Sequence, residues 1–476
     1  MDDVDLQLRS RSDKTEEGTT VRRLRGFLHG NAESSADAGL TLVEMVVAMM
    51  IFAVLSLGVA YSMLAVLQTS RDSRGRQVAA NLAAQEIDLV RSVENVNDLV
   101  DAVTNEVVDG LTYTITRSTS WVDNSGTDVG CSTSGGALQF KRVNVTVTWQ
   151  GHTDRTPVRA DTIVAPSSKI NEPTRGTILV KVVGRTGEGM PGVPVAVTVG
   201  SPTGGGVALD QQPAMTDAQG CTYAFKVVPG NYRITLAKSA YIDVKQRTTP
   251  VTDVTVSAGA SVAASFEYDA RSVTTVTLAS NHATTRIPTN LPVTMFSSFE
   301  TYTAPSTAFS GTGKTRTVSL YPFSSGYEAV AGAYRPVTET SAGCLSPDPR
   351  SWEPAGVAAG PFATEPGTAA DVSVPMGLVQ VTTTASFTGT VTAQSAVADP
   401  ATGDPGCVIT MNLTFADRLP SSGSVVLALP YGSWKILAGT STMGVASGST
   451  VQVPTGGGTV APGGIVTLDP RPVVAP

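Results

Sequence analysis

Gly39-Leu40-Thr41-Leu42-Val43-Glu44-Met45 opens the apolar run around which the chain is organised. From Met45 to Leu67, 23 consecutive residues carry no charge and no proline. A bilayer core needs about 20 such residues as helix. One carboxylate, Glu44, stands at the entrance of the run. A lone acid at hydrocarbon depth costs roughly 2–3 kcal/mol even on the lenient insertion scale. No Lys or Arg lies near it in the sequence. A cut after Gly39 would supply the missing cation as a new N-terminal amine.

The order of small residue, hydrophobic residue, then Thr41-Leu42-Val43-Glu44 before an apolar helix resembles the class III signal of type IV prepilins. The resemblance implies that a prepilin peptidase cuts after Gly39 and methylates Leu40. It also implies that Thr41 and Glu44 serve assembly, Glu44 by meeting the amine of a neighbouring subunit. The family most often has Phe at the first mature position, and Leu40 departs from that. The implied partners are the prepilin peptidase, other pilin subunits through the N-terminal helix, and cytoplasmic-membrane lipid before assembly.

Residues 1–39 read as a polar leader that is removed, with Arg22, Arg23 and Arg25 nearest the membrane on the cytoplasmic side. The apolar run is too long, and this leader too polar, for a secretory signal peptide. Residues 40–67 form the membrane half of a helix. Val78, Leu82, Leu89, Val93 and Val96 continue it as one apolar stripe. Leu111 to Ile115 and Val143 to Trp149 alternate apolar and polar residues, as half-buried strands do. Residues 68–165 are therefore expected as a pilin-like head, an amphipathic helix packed on a small antiparallel sheet, with Trp121 and Trp149 as core or sheet-face residues rather than binding residues.

Gly numbers 46, Pro 29, and only 15% of residues are charged, a mix that favours β modules beyond the head. Residues 166–175 read as a linker. Residues 176–270 hold a Pro-Gly-Val-Pro-Val strand start, a Thr216-Asp-Ala-Gln-Gly220 turn and the hairpin Pro229-Gly-Asn-Tyr232. These pieces resemble the carboxypeptidase regulatory-like (prealbumin-like) β-sandwich. The hairpin has echoes at Pro322 to Tyr327 and Pro430 to Trp434, its prolines 93 and 108 residues apart. Such a period is one small domain, which places further sandwiches at 271–377 and 378–476. The expected fold class is an α+β pilin-like N-terminal part followed by tandem all-β sandwich domains. Pro347 to Thr368 reads as a long surface loop, the expected contact with an unknown surface ligand.

Four cysteines are present, none in a C-x-x-C pair. Cys344 and Cys407 both follow Gly in loop-like sequence and are the first candidate disulfide; Cys131 and Cys221 are the second. Four cysteines allow three connectivities, and sequence alone does not choose among them. His29, His152 and His282 sit at no metal-ligand spacing. No phosphate loop, Gly-x-Ser-x-Gly elbow or His-Glu-x-x-His occurs, so no catalytic residue, metal or cofactor is expected. Lys181, with only Glu267 and Asp269 on the last strand of its sandwich, lacks the Asn of an isopeptide set. A net charge of −7 without a basic, aromatic patch argues against nucleic acid. The function these features favour is a minor or tip subunit of a type IV pilus-like fibre. The alternative is a membrane-tethered extracellular binding protein or a type II secretion-like pseudopilin.

Overall fold

The computed structural model describes residues 41–471 apart from 94–95, 97–98, 124–125, 136–137, 151–156, 166–171, 312, 384–389, 417–422, 439–440, 444–448 and 455–456. The chain divides into two units, the first ending at Gly75 and the second beginning at Arg76. Helix α1, Leu42–Ser92, contains that boundary. In the first unit every large apolar side chain of the helix, from Leu42 to Leu67, is exposed. Ser62 Oγ donates to the Gly58 carbonyl and Thr69 Oγ1 to the Ala65 carbonyl, each at 2.9 Å. These two hydroxyls are thus satisfied within the helix itself.

In the second unit α1 covers a five-stranded antiparallel sheet. Its strands are β1 Ala102–Val108, β2 Leu111–Asp123, β3 Asp128–Val129, β4 Leu138–Trp149 and β5 Val158–Val164. The order is β1-β2-β4-β5, with β3 paired to β2. Strand β4 alternates buried and open positions, with Val143, Val145, Val147 and Trp149 facing the core. The helix stripe differs from the expected one. Leu89 is 54% exposed, and the buried positions are Ala79, Leu82, Ala83, Ile87 and Val90. Two of these are alanines, whose small side chains let the helix lie close to the sheet; a search for large aliphatics passes over them. Arg117 fastens the two layers, donating to Glu86 Oε1 at 2.7 Å and to the Val100 carbonyl at 2.9 Å.

Three β-sandwiches follow. The first is built of β6 Gly176–Val183, β7 Val195–Val199, β8 Cys221–Val227, β9 Gly230–Leu236, β10 Tyr241–Asp243, β11 Val251–Val256 and β12 Ser261–Ala270. The second holds β13 Ser272–Leu278, β14 Val293–Phe296, β15 Thr301–Ala304, β16 Thr315–Leu320, β17 Glu328–Ala331 and β18 Ala369–Val374. The third holds β19 Gly377–Thr383, β20 Val391–Ser395, β21 Asn412–Thr414, β22 Gly423–Leu429, β23 Gly432–Ala438, β24 Ser441–Thr442, β25 Ser449–Gln452, β26 Gly458–Val460 and β27 Ile465–Leu468.

One wiring rule recurs in all three. The first strand (β6, β13, β19) pairs antiparallel with the strand before the echoed hairpin (β8, β16, β22). The second strand (β7, β14, β20) pairs antiparallel with the strand after it (β9, β17, β23). The hairpin is therefore where the chain crosses from one sheet to the other. Its aromatic residue anchors the crossing. Tyr232 OH donates to the Val228 carbonyl at 2.8 Å, Tyr327 OH to Tyr321 at 2.7 Å, and Trp434 Nε1 to Pro430 at 2.9 Å. All three side chains are buried, where an unpaired polar tip would cost about 1–3 kcal/mol. Gly230 permits the close turn: its φ is +155°, and a Cβ there would stand 2.1 Å from the Gly206 nitrogen.

The modules pack on one another. Strand β6 is buried along nearly its whole length because both of its faces are covered. Ile178, Val180 and Val182 face the core of their own sandwich. Leu179, with Cys221, Tyr223 and Phe225 of β8, faces the head core instead. There the Trp121 ring meets Tyr223 and Phe225, centroids 5.9 Å away in each case. Between the first and second sandwiches a single residue, Arg271, separates β12 from β13. Arg185 reaches across to the Thr364 carbonyl (3.0 Å) and to Glu365 (2.6 Å). Gln246 receives the Tyr321 N–H (2.8 Å) and donates to Tyr327 OH (3.1 Å). The second and third sandwiches share one continuous core, running from Val276 to Leu468 and joined by Ile242 of β10 from the first sandwich.

The segment 347–368 is irregular and, from Glu353 onward, mostly open to solvent, as expected of a long surface loop, but its start is pinned to the fold. Pro347, Asp348 and Pro349 are buried, and Trp352 is 3% exposed, its Nε1 donating to the Ser346 carbonyl at 2.9 Å. Arg471 lies over the Trp352 ring, 5.4 Å from its centroid. Asp348 accepts the Arg350 N–H at 3.0 Å and caps a short 3-10 turn at Pro349–Ser351. A Pro- and Gly-rich composition marks irregular backbone, and does not report the aromatic that pins it down.

Candidate functional site

The candidate site is the start of α1. Thr41 precedes the helix as its cap. Its carbonyl accepts the N–H groups of Glu44 (3.0 Å) and Met45 (3.2 Å). Its hydroxyl oxygen accepts the Glu44 N–H at 3.4 Å and donates to Glu44 Oε2, also at 3.4 Å. A Thr cap with Glu three positions on is the capping-box pattern, which satisfies N–H groups that have no partner inside the helix. The Thr-x-x-Glu spacing carries this signal in full, so the two residues define the helix start whatever else they do. Glu44 also places a carboxylate at the positive end of the helix dipole, a favourable position. Gly39 and Leu40 lie outside the described residues. Downstream, α1 is long and apolar enough to cross a membrane, with a mean hydropathy of 2.5 over its best window.

The four candidate cysteines are joined as two pairs. Cys131–Cys221 connects the head to β8, and Cys344–Cys407 connects the second sandwich to the third. Backbone pairing ties the same modules together. Gly135, four residues on from Cys131, exchanges hydrogen bonds of 3.1 and 3.0 Å with Ser261 at the start of β12. Backbone of Gly343 and Val408, one residue from each cysteine, pairs at 3.0 Å next to the second disulfide.

Side chains with chemical potential elsewhere are engaged structurally. Asp404 is buried and accepts Ser346 Oγ (2.5 Å) and Ser433 Oγ (2.7 Å), the latter also bonded to Thr467 Oγ1 at 3.0 Å. This Ser–Asp–Ser set has no imidazole beside it: His282 Nδ1 accepts the Thr284 N–H at 3.3 Å, and His152 lies outside the described residues. Lys181 Nζ donates to the Gln219 carbonyl at 2.5 Å, while Asp269 accepts the Arg185 N–H at 3.0 Å. Burial pushes the phenols of Tyr321 and Tyr327 far above their ordinary value, so both stay neutral. Tyr327 OH donates to the Tyr321 carbonyl, whereas the buried Tyr321 OH has no partner among the described residues. Burial likewise raises the Asp348 carboxyl, partly offset by the Arg350 N–H it accepts. Among the described residues no group of three His, Cys, Asp or Glu side chains could hold a metal ion. A cleft of about 740 Å³ lies beside β8, lined among others by Arg175, Gln211, Met215, Tyr223 and Lys226.

Residues 34–60 match the family model described as the prokaryotic N-terminal methylation motif. No curated protein matches the chain. Among solved structures, the chain is similar to the Bacillus anthracis TIE protein, at 12% identity over 75% of this chain and 71% of that one, with a TM-score of 0.18. It is similar to a Streptococcal ancillary pilin at 14% identity, over 49% and 75%, with a TM-score of 0.18. It is similar to BcpA, the major pilin subunit of Bacillus cereus, at 12% identity, over 62% and 92%, with a TM-score of 0.20. The methylation motif coincides with the capped start of α1 and the exposed apolar helix behind it. The chain therefore carries a prepilin-type methylation motif at the capped start of a helix long and apolar enough to cross a membrane, followed by tandem β-sandwiches.

Proposed function

We propose that the chain is processed after Gly39, methylated on Leu40, and incorporated as a minor or tip subunit of a type IV pilus-like fibre, with its sandwiches displayed for adhesion. The observation that carries this reading is the amount of folded protein added to the assembly unit. The helix and five-stranded head end at Val164; the three sandwiches run from Gly176 to Leu468. We take their limits as 176–270, 271–377 and 378–476. Modules of ordinary domain size at every subunit would collide along a tightly packed shaft. At a tip, or sparsely inserted, they meet no such clash. The shared core of the last two sandwiches and the packed boundaries before them suit a stiff stalk. The same features support a structural rather than enzymatic role.

Immunogold labelling of native fibres tests the proposal. Label at tips or at scattered points is expected. Dense, even label along the shaft would mean a major subunit and end the minor-subunit reading.

A further inference from the structure

The two disulfides close covalent loops over module boundaries. Cys131 stands between β3 and β4, and Cys221 opens β8. Their bond spans 90 residues, including β4, β5, the passage from head to first sandwich, β6 and β7. Cys344 follows β17, and Cys407 precedes β21. Their bond spans 63 residues, including β18, the passage from second to third sandwich, β19 and β20. Two of the three boundaries between packed modules thus lie inside a covalent loop. The boundary at Arg271 lies in neither.

We propose that the two bonds act as tension locks. A pull between the head and the C-terminus takes the shortest covalent path, which runs through Cys131–Cys221 and Cys344–Cys407. The chain within each loop then carries no load. At the first lock, the contacts of Trp121 with Tyr223 and Phe225 and the Gly135–Ser261 pairing have only to hold an orientation. Without the bond, the same pull would be borne by the chain between Val164 and Gly176 and would peel the Trp121 face from β8. That would expose three aromatic side chains and one face of β6. At the second lock, β18, β19 and β20, with the part of the shared core they carry, are relieved of load in the same way. The extensible stretch between the locks runs from Cys221 to Cys344 and contains the Arg271 boundary. The load is that of a fibre in use, so the inference rests on the subunit reading above, but the locks can be measured without a fibre.

The test stretches the detergent-solubilised full chain between handles on its two termini. The wild-type chain is compared before and after treatment with a thiol reductant, with reduction confirmed by alkylation of four thiols. Reduction is expected to add about 300 Å of released length from the 90-residue loop and about 210 Å from the 63-residue loop, at full extension of the chain. Cys131→Ser with Cys221→Ser should abolish the larger increment alone, and Cys344→Ser with Cys407→Ser the smaller alone. Equal released lengths in the oxidised and reduced wild-type chain would overturn the proposal, and that arm requires no variant to fold. A chain that shows both increments yet never enters fibres would refute the subunit reading and leave the locks standing.

Discussion

The apolar run behind Glu44 and the apolar strand β6 use much the same residue types to opposite ends. In the first, every large side chain from Leu42 to Leu67 is open. Local bonds alone hold it: the Thr41 cap, the helical ladder and the turned-in hydroxyls of Ser62 and Thr69. In the second, Ile178 and Val180 face one core and Leu179 the other. Local bonding is minor there, and stability comes from two tertiary partners. The difference teaches that an apolar run tells how much surface must be covered, while its length tells by what. Twenty-odd residues as a helix match a bilayer. Eight residues as a strand match a sheet covered on both sides.

The largest effect expected on this comparison is at the open run. Glu44→Ala removes an acid from the edge of the apolar phase, so membrane insertion should be kept or improved. Fibre incorporation should fall to background. Sheared fibres and membranes are blotted for the variant; equal incorporation with wild type would leave Glu44 as a helix cap and nothing more.

At the covered strand, Trp121 is the side chain that joins head and first sandwich. Trp121→Ala should cost about 3–5 kcal/mol, the usual range for a buried tryptophan. It should also raise protease cleavage between 165 and 176, readable by limited proteolysis. A loss under about 1 kcal/mol would mean that the head does not cover β6 in solution, since surface changes are that small.

A finer test separates two residues on one helix. Ile87 is buried and Leu89 is 54% exposed. Ile87→Ala should cost about 2–4 kcal/mol, and Leu89→Ala less than about 0.5 kcal/mol. Equal costs in chemical denaturation would restore the stripe through Leu89 that large aliphatics alone suggest.

Legibility in the sequence followed the range of the interaction. The membrane run, the Thr41–Glu44 spacing and the sheet-crossing aromatics Tyr232, Tyr327 and Trp434 are local patterns and could be read directly. The helix stripe was half legible: Leu82 lies on it, but Ala79 and Ala83 are too small to stand out. The double cover of β6 was not legible, because its partner Trp121 lies over 50 residues upstream and leaves no mark on the strand's own pattern. The pinning of 347–368 by Trp352 and Arg471 failed to show for the same reason. Of the candidate site, Thr41 and Glu44 have a described geometry, whereas the proposed processing at Gly39 and Leu40 depends on the letters alone.

The central claim is that a prepilin-type start governs this chain, and mass spectrometry of the N-terminal peptide of the surface-exposed protein tests it most directly. The predicted result is a peptide beginning at N-methylated Leu40, with residues 1–39 absent, and loss of that species in Gly39→Val. Surface protein that keeps an intact leader through Gly39 would contradict the account.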